Sequence, residues 1–147
     1  MVSDRFAVTA CVLLRRRDSW LLGLRSAGVA YAPGALGLIG GHVEYADAQA
    51  SVLEATARRE VREECGIDLT GVALRYLESE LFHTEPGEPQ VTVTFVAEAP
   101  PGVEPTATAP DELTSVGWWT ITEVQDDPRS PAWLPALLTR AAETLAS

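Results

Sequence analysis

Three glutamates, Glu60, Glu63 and Glu64, stand close together in the segment REVREECG. An α-helix turns by about 100° per residue, so these three carboxylates would share one stripe about 100° wide. Like charges at this spacing destabilise an isolated helix by roughly a few tenths of a kcal/mol per pair, and Arg59 can offset only part of that cost. Mg²⁺ prefers oxygen ligands and sits between carboxylates and substrate phosphates. The pattern therefore predicts a site for Mg²⁺, with Mn²⁺ as the alternative, although a lone acidic run is more often a solvated helix face.

A helix over residues 48–65 is predicted to carry these carboxylates. Apolar residues recur every three or four positions, and Gly66 stands where a left-handed C-cap belongs. Upstream, Gly40 and Gly41 end a short apolar segment, so the chain should turn sharply before the helix. The apolar positions of the helix are Ala50, Leu53, Ala57, Val61 and Cys65.

Strands are predicted on both sides of this helix. β-Branched and apolar runs indicate a hairpin over residues 6–14 and 20–24, a short strand at 36–39, and strands at 72–81, 90–98 and 113–121. Residues 83–89 should form a turn or flap, and the proline-rich residues 99–112 an exposed loop. A second helix is predicted over residues 135–145, with Pro135 in its first turn. Strands divided by one central and one terminal helix indicate an α+β fold.

The composition limits the partners that the protein can have. A chain of 147 residues that is 46% hydrophobic is expected to form one domain, residues 1–147. Its net charge of -10 argues against nucleic-acid polymers and anionic membranes as partners, because both attract basic surfaces. Cys11 and Cys65 are expected to be buried thiols, and the chain shows no leader or membrane-spanning segment. We expect a cytoplasmic protein.

The segments REVREECGI and GGHVE together resemble the signature box of the Nudix hydrolases. The resemblance implies a Nudix fold, which is a mixed β-sheet sandwiched between helices, with the box forming a loop, helix and loop that hold Mg²⁺. It also implies hydrolysis of a nucleoside diphosphate linked to another group. The strands before the box are similar to those of the MutT-type branch, the nucleoside triphosphate pyrophosphohydrolases. The implied partner is a small nucleotide, and a homodimer is left open.

The resemblance also implies roles for individual residues. Glu60, Glu63, Glu64 and the carbonyl of Gly40 would hold the metal, and Arg59 would orient Glu63. Either Glu63 or Glu112, with Asp111 as second choice in the same loop, would accept a proton from the attacking water. Arg25 would contact a phosphate, although a strand-end arginine in solvent is an equal alternative. The candidates for base stacking are Phe82, His83, Trp118 and Trp119, of which Trp118 is expected to pack in the core.

The box departs from the family pattern in its spacing. The pattern places a glutamate six residues after the second glycine and eight before the arginine. Counting forward from Gly41 gives Asp47 and counting back from Arg59 gives Ser51, so four residues are inserted. The insertion motivates two alternatives: a nucleotide-binding module without catalysis, and a family enzyme for sugar nucleotides or dinucleotides.

Overall fold

The protein is described by a computed structural model, in which residues 4–83 and 88–147 are placed. The predicted flap therefore lies partly outside the described residues, at positions 84–87. None of the helices in the placed segments is long and apolar enough to cross a membrane.

In the described residues, seven strands form one mixed sheet. Along the chain they are β1 (Ala7–Arg16), β2 (Ser19–Arg25), β3 (Leu36–Gly37), β4 (Ile39–His42), β5 (Arg75–His83), β6 (Pro89–Glu98) and β7 (Leu113–Thr120). The order across the sheet is β3-β2-β1-β6-β5, with β4 paired to β1 and β7 paired to β2. The pair β1–β6 is parallel and all other pairs are antiparallel. Every strand predicted from the sequence is present, but β5 begins three residues later than predicted and the short strand predicted at 36–39 is divided between β3 and β4. The sharp turn predicted at Gly40 and Gly41 is wrong, because both glycines lie within β4 and pair with β1.

Helices cover both faces of this sheet: α1 (Val52–Cys65) on one, and α2 (Ile121–Asp126) with α3 (Leu134–Ala146) on the other. Because successive residues of a strand point to opposite faces, β1 supplies Val12 and Leu14 to the core beneath α1 and Leu13 to the core beneath α3. The predicted α+β architecture, a mixed sheet sandwiched between helices, is confirmed.

Two helix boundaries differ from the prediction. The central helix begins at Val52 because residues 45–47 form a 3-10 turn and Ser51 adopts a left-handed conformation, with φ of 60°. Its end was predicted correctly, since Gly66 is a left-handed C-cap with φ of 70°. The short helix α2 was missed, although Thr120 and Glu123 form a reciprocal capping box at its start.

Candidate functional site

Three carboxylates converge between helix α1 and the loop before β7. Glu60 and Glu64 are buried, at 7% and 3% exposure, whereas Glu112 is exposed. Each offers one oxygen, and these oxygens lie within 4.8 Å of one another. The backbone N–H of Ser26 donates to the carbonyl of Glu112 at 2.8 Å, which ties the loop to the end of β2. Three hard oxygen donors at this spacing are the ligand set that Mg²⁺ accepts.

The glycine pair, Gly40 and Gly41 on β4, allows α1 to approach the sheet closely. The N–H of Gly40 donates to Glu64 Oε1 at 3.2 Å. A Cβ on Gly41 would overlap the carboxylate of Glu60, and one on Gly40 would overlap the backbone of β1. At Gly40 the neighbouring atoms belong largely to the backbone of β1 and cannot give way, whereas at Gly41 the end of the Glu60 side chain would have to move.

Arg59 is the buried cation beside the cluster. Its Nε and Nη2 donate to the two oxygens of Asp47 at 2.8 and 3.0 Å, and Nη2 also donates to the carbonyl of His42 at 2.9 Å. Its Nη1 donates to Glu60 Oε1 at 2.8 Å and to Glu63 Oε2 at 3.0 Å. A bidentate, charge-assisted contact fixes the plane of the guanidinium, so Arg59 in turn fixes both glutamates.

Glu63 lies apart from the three converging carboxylates. Its side chain is 53% exposed, and one of its oxygens accepts the hydrogen bond from Arg59. The glutamates at positions 60, 63 and 64 therefore do not act as one uniform stripe: Glu60 and Glu64 turn inward, and Glu112 of the late loop joins them.

The cluster shifts the protonation equilibria of its members. Burial raises the pKa of Glu60, and burial together with the charge of Glu60 raises the pKa of Glu64 to about 9. Hydrogen bonds from Arg59 instead hold the pKa of Asp47 well below its usual range. Among the described residues, positive charge near Glu60 and Glu64 does not compensate for the burial of these two carboxylates. A bound cation would supply the missing charge.

A cavity of about 790 Å³ opens on the other side of the glycine pair. Arg25, Tyr31 and Phe82 line it, and Arg25 Nε donates to the carbonyl of Tyr31 at 2.8 Å. The rings of Tyr31 and Phe82 are 6.0 Å apart between centroids. Two of the three predicted substrate residues, Arg25 and Phe82, therefore line one cavity, which reaches the carboxylate cluster through the glycine pair.

The box of glycines, arginine and glutamates is matched by a known family. The model of the NUDIX domain matches residues 4–137. The chain belongs to the Nudix hydrolases. Members of this family are pyrophosphohydrolases of nucleoside diphosphate-linked substrates and typically depend on a divalent cation.

Solved structures with the same fold are similar to this Nudix hydrolase at low sequence identity. A MutT NUDIX hydrolase from Burkholderia pseudomallei is 24% identical, with a TM-score of 0.74 over 93% of this chain and 98% of that one. An Ap4A hydrolase from C. elegans is 18% identical, with a TM-score of 0.72 over 95% and 98% of the two chains. The NUDIX domain of Shewanella oneidensis NrtR, complexed with ADP ribose, is 20% identical, with a TM-score of 0.72 over 99% and 90%. The comparison with curated proteins returned no match.

Trp119 lies away from the cavity of this Nudix hydrolase. It is on β7 opposite Trp20 and packs, partly buried, against the core beneath α3. Trp118 packs against the core beneath α1, as expected from the sequence. The prediction of Trp119 as a stacking residue therefore finds no support in the geometry, because β7 directs this side chain into the sandwich.

Asp47 is the site residue that the sequence analysis did not select. It is 5% exposed and accepts hydrogen bonds from Arg59, from Thr56 Oγ1 at 2.9 Å and from the N–H of Glu44 at 3.0 Å. The sequence signal for Asp47 was its spacing, because it lies six residues after Gly41, where the family pattern has a glutamate. The inserted residues separate Asp47 from Arg59 in the chain but leave them in contact in space.

Proposed function

We propose that this Nudix hydrolase converts a nucleoside triphosphate to a nucleoside monophosphate and pyrophosphate, acting as one domain over residues 1–147. The observation that carries the proposal is the group of converging carboxylates, Glu60, Glu64 and Glu112, placed against the glycine pair at one end of a nucleotide-sized cavity. A Mg²⁺-dependent reaction is expected, with Mn²⁺ as an alternative cation.

The carboxylates fit a divalent cation. Glu60 and Glu64 would hold it, with Glu63 and the carbonyl of Gly40 nearby on the same side of the box. A bound Mg²⁺ supplies charge neutralisation for the pyrophosphate and lowers the pKa of the attacking water. Two buried carboxylates with raised pKa values are the group that such a cation would relieve.

Glu112 is the proposed general base. It is exposed, close to Glu60 and Glu64, and its carboxylate accepts no hydrogen bond from the described residues. Glu63 is the weaker candidate because one of its oxygens already accepts a hydrogen bond from Arg59. Proton transfer from water to Glu112 would generate the nucleophile that attacks phosphorus.

The remaining residues would position the substrate. Arg25 can contact a phosphate with the nitrogens that do not bind the carbonyl of Tyr31, and Phe82 offers a ring face to the base. Arg59 would hold Glu60 and Glu63 in place and does not need to touch the substrate. The pair formed by Asp47 and Arg59 argues against a module that has lost catalysis, because the inserted residues leave this support intact.

The Glu64→Gln variant tests the proposal. It keeps the shape of the side chain but removes a charge, so Mg²⁺-dependent release of pyrophosphate should be abolished while the circular dichroism spectrum stays unchanged. The matched control is Glu54→Gln, at the start of the same helix and outside the cluster. A Glu64→Gln variant with the turnover of the wild-type enzyme would contradict the proposed role of the carboxylate cluster. Mass analysis of the products separates triphosphate hydrolysis from cleavage of sugar nucleotides or dinucleotides.

A further inference from the structure

The cavity contains polar groups that the fold leaves unused. Among the described residues, two buried hydroxyls without a hydrogen-bond partner, Thr92 Oγ1 and Ser130 Oγ, belong to residues that line it. A buried polar atom without a partner costs stability, and native structures rarely leave one unsatisfied. Because the two oxygens are themselves buried, a ligand in the cavity reaches them only if the side chains of Thr92 and Ser130 turn towards it.

One row of side chains crosses the floor of the cavity. Thr9 of β1 lies opposite both His42 of β4 and Thr92 of β6, and Thr92 lies opposite Glu80 of β5. All four residues line the cavity. Adjacent strands are about 4.8 Å apart, so Glu80 lies about 14 Å from the row's other end, which adjoins the glycine pair. The row thus runs from His42, beside the glycine pair, to the carboxylate of Glu80 at the opposite end of the cavity.

Glu80 is an unused hydrogen-bond acceptor at that far side. It makes no hydrogen bond or ion pair with any residue that the structure places, whereas Glu78, two residues earlier on the same strand, is paired with Arg140 at 2.9 Å. An ionised carboxylate can only accept hydrogen bonds, so the ligand group that meets Glu80 must donate them. A phosphate or a carbonyl oxygen at this position would be repelled.

An aromatic pair lies next to Glu80. Phe82 is two residues away on β5, hence on the same face of the sheet, and Tyr31 stands against it with ring centroids 6.0 Å apart. A planar base stacked on these rings would direct one edge along the sheet floor, towards Glu80 and Thr92. The hydroxyl of Thr92 can either donate or accept, so it does not by itself choose the base.

We propose that Glu80 makes this enzyme selective for nucleobases that carry an exocyclic amino group. The inference rests on the proposed function, because it takes the cavity as the site of the nucleoside. The amino group donates to the carboxylate of Glu80. A base with a keto oxygen at the same position places acceptor against acceptor. A base with hydrogen there makes no hydrogen bond with Glu80, whose exposed carboxylate then stays hydrated.

Two matched pairs of triphosphates test the proposal. GTP differs from ITP by the amino group alone, and CTP differs from UTP by an amino group in place of a keto oxygen. The wild-type enzyme should show kcat/KM about tenfold higher for GTP and for CTP than for their partners, the size of one hydrogen bond to a charged group. Glu80→Gln should remove the preference for CTP, because an amide can donate to the keto oxygen of UTP. It should also reduce the preference for GTP, because a neutral amide accepts a weaker hydrogen bond from the amino group than a carboxylate does. Glu78→Gln, the control on the same strand, should keep both preferences.

The ratios within a pair do not depend on how much of a variant is folded. Equal kcat/KM values within either pair for the wild-type enzyme overturn the proposal, and so does a Glu80→Gln variant that keeps both preferences. Calorimetric binding of GMP against IMP and of CMP against UMP, without metal, separates this inference from the proposed function. Selective binding of GMP and CMP without hydrolysis of any triphosphate would remove the proposed function alone. Hydrolysis without selectivity, or failure of all four monophosphates to bind, would remove this inference.

Discussion

The negative charge of Asp47 stabilises the buried part of the site, and removing it should lower the free energy of unfolding. It takes two of the hydrogen bonds of Arg59, and its carboxylate is almost fully buried. Removing one partner of a buried ion pair costs about 3 kcal/mol or more when the other charge is left wholly unpaired, and less when other partners remain. The remaining contacts of Arg59 to Glu60 and Glu63 would then set its position.

Asp47→Asn should therefore lower both the stability and the turnover of the enzyme. We expect the free energy of unfolding to fall by up to about 3 kcal/mol, because Arg59 keeps Glu60 and Glu63 as partners. We expect kcat to fall by about 10–100-fold, with KM changed less, since Arg59 then fixes Glu60 less firmly. Urea unfolding and steady-state kinetics measure the two effects. Glu44→Gln is the control, because Glu44 is exposed and lies 3.8 Å from Arg59. A stable and fully active Asp47→Asn variant would show that the other contacts hold Arg59 alone.

Glu112→Gln and Glu63→Gln separate the two candidates for the general base. Loss of a general base typically lowers the rate by about 10²–10⁴-fold, so Glu112→Gln should lower kcat by this factor. Glu63→Gln should have a smaller effect, because an amide oxygen can still accept the hydrogen bond from Arg59. Single-turnover rates at saturating Mg²⁺ give the comparison. The opposite order of the two effects would assign the base to Glu63.

Helix α1 lies close to strand β4 because Gly41 has no side chain. Gly41→Ala places a Cβ where the carboxylate of Glu60 lies, so either the helix or the side chain must move. We expect at least tenfold weaker activation by Mg²⁺, about the loss seen when groups that orient metal ligands are disturbed. The measurement is the Mg²⁺ concentration at half-maximal rate. Gly117→Ala is the matched control, since a Cβ there meets no atom within 4 Å, and it should behave as wild type.

The sequence predicted the presence of helices and strands more accurately than the residues at which they begin. The end of α1 was predictable because a glycine in the left-handed conformation is a local signal, and Gly66 supplies it. Its beginning was not, because the inserted residues continue the helical apolar spacing while Ser51 leaves the helical conformation. Helix α2 is too short for a periodic pattern, and only its capping box was visible.

The site was predictable to the extent that it lies on one helix. Glu60 and Glu64 follow from helical spacing, and the family resemblance pointed to Glu112. Which glutamate turns inward depends on how α1 packs on the sheet, and the sequence pattern does not contain that orientation. The pairing of Tyr31 with Phe82 likewise joins a loop to a distant strand, so it becomes visible only in the fold.

For the whole molecule, the carboxylate cluster couples stability to pH and to the divalent cation. The pKa values of Glu60 and Glu64 are raised above those of an unfolded chain, so the folded protein binds protons that the unfolded protein has already released. Stability must then fall as the pH rises, from the ordinary glutamate pKa of about 4.3 towards the raised value of Glu64, about 9. Asp47 has the opposite sign, because its pKa is lowered, but its contribution is lost only in acid, below about pH 4.

In the absence of metal, the free energy of unfolding should therefore decrease between pH 5.5 and pH 8.5, by up to about 1.4 kcal/mol per pH unit for each proton involved. Mg²⁺ should reverse most of this loss, because it binds the ionised carboxylates, and its stabilising effect should be larger at pH 8.5 than at pH 5.5. Urea unfolding at several pH values, with EDTA or with Mg²⁺, measures both trends. Glu64→Gln, which cannot ionise at this position, should flatten the dependence on pH and weaken the response to Mg²⁺. A wild-type protein whose stability is constant over this range with EDTA would show that the buried glutamates do not retain protons in the folded state.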